Sequence, residues 1–300
     1  MKKLLVICGA TASGKTALAV ECAKRLGGEV VSCDALLVYR GLNIGTAKPT
    51  AEEMAGIRHH LIDVAEPTQA FTVHDFERLA LAAIDEIAAR GKIPVLCGGT
   101  GFYLNAVLFR SGYGHVGADE SVRARYNAVA AEKGKEYLHA LLREVDPESA
   151  EKLHPNDVKR VVRALEIFEL TGKKKSAQSD GLTPRFAYEA FALDFPRAAL
   201  YERIDRRVGQ MLDAGLVDEV KGLLAAGVPQ DAQCMQGIGY KEVVEGLRNG
   251  DLNSTMRDII QKNTRNYAKR QITFFKKLPN LHWIAPSDTA IEEVIGIYDR

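Results

Sequence analysis

In the first third of the chain, short apolar runs alternate with stretches whose apolar residues recur at helical spacing. Lys3–Cys8 is an apolar run closed by Gly9, the pattern of a strand buried on both faces. Thr16–Leu26 reads as a helix stopped by Gly27-Gly28, and Glu29–Cys33 as a second strand. Thr72 and Asp75 have the spacing of a capping box. Val73, Phe76, Ala80, Ala83, Ile84 and Ile87 then share one helical face as far as Arg90, before Gly91. Ile93–Cys97, closed by Gly98-Gly99, is a third strand. This alternation predicts a parallel sheet covered by helices on both faces.

The pattern changes after about residue 115. Asp119–Gly172 reads only as helices rich in charge, and Lys173–Thr183 as a polar loop. Tyr188–Phe195 returns to a strand pattern. Helices then run from Arg197 to Lys277, with breaks near Gly227-Val228-Pro229 and Gly237–Gly239, and His282-Trp283-Ile284 is a last short strand. The prediction is an α/β core, residues 1–115 and 188–300, interrupted by a helical insertion domain at 116–187.

Composition narrows the function. Of 300 residues 46% are hydrophobic, enough for a large core, and 40 Lys+Arg against 39 Asp+Glu leave a net charge of +1. The chain is no polycation, so nucleic-acid binding requires local basic patches. No apolar run is long enough to span a membrane, and the apolar start is too short for a signal peptide. Five widely spaced cysteines with no C-x-x-C pair suit reduced thiols in a cytoplasmic protein and argue against a zinc cluster or disulfide framework.

Gly9-Ala10-Thr11-Ala12-Ser13-Gly14-Lys15-Thr16 matches G-x-x-x-x-G-K-[ST] between a predicted strand and a predicted helix. Such a loop turns its N–H groups and a helix N-terminus toward phosphates. Lys15 would meet the terminal phosphates, and the Thr16 hydroxyl would ligate Mg²⁺. The loop implies a di- or triphosphate but does not specify ATP. Phosphoryl-transfer enzymes commonly place a second acid for magnesium at a strand end. Here Ile93–Cys97 ends in glycines and Thr100, and Asp63 is only a weak substitute.

With this loop, Ser32–Pro49, including Asp34-Ala35-Leu36-Leu37, resembles the tRNA dimethylallyltransferases, also called tRNA isopentenyltransferases. The resemblance continues in order through His59–Asp63, Gly98–Tyr103, Pro155–Glu166, Arg203–Arg207, Met235–Lys241 and Thr264–Gln271, over nearly the whole chain. It implies a P-loop NTPase-like fold. It also implies transfer of a dimethylallyl group from dimethylallyl diphosphate to N6 of the adenine 3′ to the anticodon, in tRNAs reading U-starting codons. Magnesium would assist departure of diphosphate, and the insertion would grip the anticodon stem-loop. The chain departs from the family at Ala10, where proline is common, at Ala35, often serine, and at Leu37, often glutamine. It ends at Arg300 without the zinc finger that eukaryotic members often carry, which points to the bacterial type, and a monomer is expected.

The resemblance assigns Asp34 as the base on the adenine amine, Thr100 as a positioning group and Arg207 as a cation on the diphosphate. Arg203 lies one turn away, and Arg206 reads as a solvated charge. The segments matching tRNA contacts are Asp34, Ala35, Leu36 and Leu37; Gly101 and Arg123; Lys159, Arg160, Val161, Val162 and Arg163; and Gln236, Gly237, Gly239, Tyr240 and Lys241. Lys159 and Arg163, four apart with Arg160 beside them, make one basic edge on a helix of the insertion. Lys262, Arg265, Lys269, Arg270, Lys276 and Lys277, with no acid among them and with Tyr267, Phe274 and Phe275 interleaved, form a second basic stretch suited to RNA. His59-His60 reads as structural, because adjacent side chains point apart, and Trp283 as a core residue.

Overall fold

A computed structural model describes residues 3–110, 117, 119–177, 183–250 and 254–300. The chain forms two compact units, residues 1–108 with 185–300 and residues 109–184. The sequence reading set these boundaries at 115 and 188.

The larger unit opens with β1 (Leu4–Cys8), every residue buried, and α1 (Lys15–Leu26), which ends as Gly27 takes a left-handed conformation. β2 (Gly28–Ser32) is likewise buried throughout. A short α2 (Ala51–Met54) and a two-residue β3 (His59–His60) follow, neither visible in the sequence pattern. α3 (Val73–Ala89) begins at the expected capping box: Thr72 Oγ1 accepts from Asp75 N–H, and Asp75 accepts from Thr72 N–H. Phe76, Ala80, Ala83, Ile84 and Ile87 are buried as their spacing predicts. Val73, in the first turn, is exposed instead. β4 (Ile93–Gly98) leads into α4 (Gly101–Leu108), whose Tyr103 stacks on Phe76 with ring centroids 4.0 Å apart.

The smaller unit pairs β5 (Phe109–Arg110) with β6 (Thr183–Pro184) in antiparallel fashion. Between them lie α5 (Glu120–Lys133), α6 (Lys135–Val145), α7 (Pro147–Lys152) and α8 (Val158–Thr171). Leu138 and Leu142 pack with Ala150, Val161, Val162, Ala164 and Leu165 in its core. Part of the expected polar loop, residues 178–182, lies outside the described residues.

The larger unit resumes with β7 (Tyr188–Leu193), α9 (Arg197–Asp213), α10 (Leu216–Ala225), a 3₁₀ turn at Gln233–Gln236, α11 (Tyr240–Asn249) and α12 (Ser254–Phe275). β8 (Leu281–Ile284) and α13 (Ala290–Tyr298) complete it. Its sheet is parallel in the order β3-β2-β4-β1-β7-β8. Trp283 is only half-buried on the edge strand β8, not in the core, because a strand at a sheet edge lacks a neighbour on one side. The order matters for chemistry. β2, β4 and β1 are neighbours, so the segments leaving their C-terminal ends converge, the place where open α/β sheets bind ligands.

Candidate active site

The loop after β1 curls because Gly9, Ala12 and Gly14 have φ of 127°, 61° and 92°. Such left-handed values turn successive N–H groups to one side. Lys15 Nζ lies 3.2 Å from Ala10 O, and burial lowers its ammonium pKa below the usual value. Lys15 and Thr16 line a cleft with Thr11, Ser32, Asp34, Cys97 and Arg207.

Asp34 follows β2 in an aspartate turn. Its Oδ1 accepts from the N–H groups of Leu36 at 2.9 Å and Leu37 at 3.3 Å, which fixes the carboxylate plane. Thr100, after β4, accepts from Ala35 N–H at 3.1 Å through Oγ1 and donates its own N–H to Cys33 O at 3.2 Å. Its carbonyl accepts from Tyr103 and Leu104, so it also opens α4. The two strand ends approach so closely that a Cβ on Gly98 would overlap the Cys33 carbonyl, which is why glycine stands there.

Arg207 reaches the cleft from α9. Burial lowers its pKa; Glu53 and Asp34 oppose this, and the like charge of Arg203 adds to it. Arg203 donates Nε–H to Ala12 O at 2.8 Å and lies over the Phe195 ring, so it braces the phosphate loop. Arg206 is exposed, as the sequence suggests. It nonetheless lines a second, outer cleft with Arg203, Arg207, Gln210, Ala12 and Gly14.

A family model described as IPP transferase matches residues 37–278. The chain belongs to the IPP transferase family. A protein of Acetivibrio thermocellus named tRNA dimethylallyltransferase is 43% identical over 298 residues, 98% of this chain and 95% of its own. The tRNA dimethylallyltransferase 1 of Trichlorobacter lovleyi is 48% identical over 292 residues, covering 96% and 95%. Among solved structures, the full-length tRNA isopentenylpyrophosphate transferase of Bacillus halodurans has a TM-score of 0.74 at 42% identity, covering 100% of this chain and 95% of that one. A eukaryotic dimethylallyltransferase solved acting on tRNA has a TM-score of 0.81 at 30% identity, covering 97% and 75%. The P-loop NTPase-like α/β fold expected from the sequence is therefore shared with these IPP transferases.

The cleft of this IPP transferase offers hard oxygen donors in Thr16 Oγ1 and Asp34. Ser32 Oγ is buried there without a hydrogen-bond partner. These suit magnesium held largely by phosphate and water. No group of three His, Cys, Asp or Glu that could hold a metal by itself occurs among the described residues. Asp63 does not join them: it pairs with Lys48 and does not line the cleft. His59 and His60 diverge as adjacent strand residues must. His60 Nε2 meets Glu29 at 2.7 Å, and His59 Nδ1 meets Ile57 O at 2.9 Å. Burial alone would raise the Glu29 carboxyl, but Lys92, His60 and Arg90 outweigh it and hold the pKa at about 2.

The residues matched to tRNA contacts divide by exposure. In the larger unit Ala35, Leu36, Leu37, Gly101 and Gly237 are half-buried, and Gln236 and Lys241 are exposed. Gly239 and Tyr240 are buried, and Tyr240 donates its hydroxyl to Glu219 at 2.6 Å. Glu219 also accepts from the N–H groups of Asn43, Ile44 and Gly45, so Tyr240 supports that loop from beneath instead of presenting its ring to RNA. In the smaller unit Val161 and Val162 belong to the core, because they occupy the inner face of α8. Lys159 and Arg160 are exposed. Arg163 and Arg123 both hold the buried Glu166, at 2.6 and 3.0 Å.

In the sequence Tyr267 and Gln271 fall within the matching segment Thr264–Gln271 and the basic stretch around it, with no site role of their own. They lie one helical turn apart on α12 and face inward. Burial pushes the Tyr267 phenol up to about 12, with Asp34 adding to the shift, and Thr100 and Gln271 lie beside it. The available signal was the i, i+4 pairing of two uncharged polar residues among cations.

Proposed function

We propose that this protein is a tRNA dimethylallyltransferase. It transfers the dimethylallyl group of dimethylallyl diphosphate to N6 of the adenine 3′-adjacent to the anticodon, in tRNAs reading U-starting codons, and releases diphosphate. What carries this reading is the convergence, at neighbouring strand ends, of the phosphate loop, the fixed carboxylate of Asp34 and Thr100, with Arg207 on the same cleft. The reaction forms a bond from N6 to the first carbon of the prenyl group and breaks that carbon's bond to the diphosphate oxygen. The adenine amine is a weak nucleophile, so Asp34 takes its proton as the new bond forms. Lys15 and Arg207 meet the charge that develops on the leaving diphosphate. Mg²⁺, when bound through Thr16, supplies further charge neutralisation to that group. The target base must leave its stack to reach Asp34. The protein acts as a monomer in the cytoplasm, where its five buried free cysteines stay reduced.

An ordinary kinase fits less well. The end of β4 carries glycines and Thr100 where a magnesium acid would stand, and Asp63 is engaged by Lys48. Titration calorimetry in the presence of Mg²⁺ and tRNA should give tighter binding of dimethylallyl diphosphate than of ATP. Transfer of the γ-phosphate of ATP to any acceptor would refute the reading.

The cations of the smaller unit supply part of the grip on tRNA. Lys159 is exposed, and the pair of Arg160 with Asp157 lies at the surface, where it yields readily to a phosphate. Replacing both with alanine should flatten the slope of log affinity against log salt by roughly 1.5, since each phosphate contact contributes roughly 0.7–0.9. Filter binding across a salt series measures it. An unchanged slope would move the grip to the exposed cations of Lys262–Lys277.

A further inference from the structure

We propose that Gln271 is a positioning residue that fixes the phosphate loop against the acceptor-side turn through two hydrogen bonds from one buried amide. The inference rests on the transferase reading and adds a residue to it. Gln271 is 5% exposed. Its Oε1 accepts from Thr11 N–H at 2.9 Å, inside the phosphate loop, and its Nε2 donates to Gly99 O at 2.9 Å, beside Thr100. The amide's orientation is not free, because an N–H can only donate and a carbonyl can only accept. The fit is also close. A Cβ on Gly99 would overlap Nε2 of Gln271.

The rest of the same helix face follows the turn. Tyr267, one turn earlier, lies beside Thr100 and Asp34. Phe274, three residues later, packs against Phe102 with ring centroids 5.9 Å apart, and a Cβ on Gly101 would overlap it. The last pairing of β1 with β4 is Cys8 with Gly98, so the loop and the turn lie beyond the strand ladder. Among the described residues, Gln271 bridges residues 9–16 and 99–102 by hydrogen bonds at both ends of its amide.

The consequence is geometric. On the transferase reading, the loop that takes the donor's diphosphate is held at one end of this bridge, and Thr100, beside the acceptor base, follows the other end. The separation of the reacting carbon and nitrogen therefore depends on how the loop and turn are held. Thr11 N–H is committed to Gln271, so part of the loop's curvature is set by α12 and not by the anion it binds.

Gln271→Met preserves length and removes both hydrogen bonds. Q271E keeps an acceptor for Thr11 but sets a carboxylate against the Gly99 carbonyl. In single-turnover transfer Q271M should lose ~10²-fold in rate, with the KM for donor and the Kd for tRNA within about threefold, since misplacement by about 1 Å costs that much. Hydrogen exchange should show the Thr11 amide losing protection in Q271M and keeping it in Q271E. If Q271M does not fold, Q271E carries the kinetic test, with reduced rate and unchanged donor affinity. A Q271M rate within about threefold of wild type, or a Thr11 amide equally protected in Q271M, overturns the proposal. The exchange measurement needs no turnover. Loss of Thr11 protection in Q271M beside a wild-type protein that transfers no prenyl group would thus uphold the bridge and refute the transferase reading.

Discussion

Asp34→Asn should lower kcat by ~10²–10⁴-fold, the usual worth of a general base, while tRNA affinity changes little. Asparagine retains Oδ1, so it still accepts from the N–H groups of Leu36 and Leu37, and the turn after β2 persists. The link from Ala35 N–H to Thr100 persists as well, because Asp34 takes no part in it. What is lost is the carboxylate charge, and with it the proton acceptor. Single-turnover transfer of a labelled prenyl group, paired with equilibrium tRNA binding, separates the two quantities. A variant with a near-normal rate would remove Asp34 from the proton transfer.

Arg207→Gln should lower kcat by ~10²–10³-fold, because a cation placed where charge develops on a leaving group is worth more than in water. Arg207 makes no ion pair within 4 Å among the described residues, so its loss strands no buried acid, and the melting temperature should barely move. Donor affinity should weaken too, since part of the diphosphate charge is present before reaction. Arg207→Lys should retain more activity than Arg207→Gln by keeping the charge without the two-pronged donor. Arg206→Gln, on the exposed side of α9, should leave kcat almost unchanged. Equal losses for the Arg206 and Arg207 variants would mean that α9 acts through its overall charge and not through one directed guanidinium.

The parts of the site that were legible in the sequence are those built from local pattern. β1, the phosphate loop and α1 follow from an apolar run, spaced glycines and helical periodicity, all within residues 4–26. Asp34 and Thr100 could be placed at strand ends for the same reason. β3 could not be seen, because two histidines carry no strand pattern and the element exists only by pairing with Val30 and Val31. The inward role of Gln271 was hidden by distance along the chain: its partner Thr11 is 260 residues away, and the surrounding cations give α12 the pattern of a surface helix. Charge could be counted but not paired. Lys159, Arg160 and Arg163 read as one basic edge, yet Arg163 is tied to the buried Glu166, and Val161 and Val162 between them are core. The burial of Tyr240 was equally hidden, since its contact with Glu219, which joins α11 to α10, spans 21 residues of sequence.

The most direct measurement incubates the protein with labelled dimethylallyl diphosphate and Mg²⁺ in three arms: a tRNA that reads a U-starting codon, the same tRNA with its anticodon-adjacent adenine replaced by guanine, and AMP. The prenyl label should appear in the first tRNA only, on that adenine when the digested nucleosides are separated. Label on AMP, or equal label on both tRNAs, would contradict transfer to that adenine's N6.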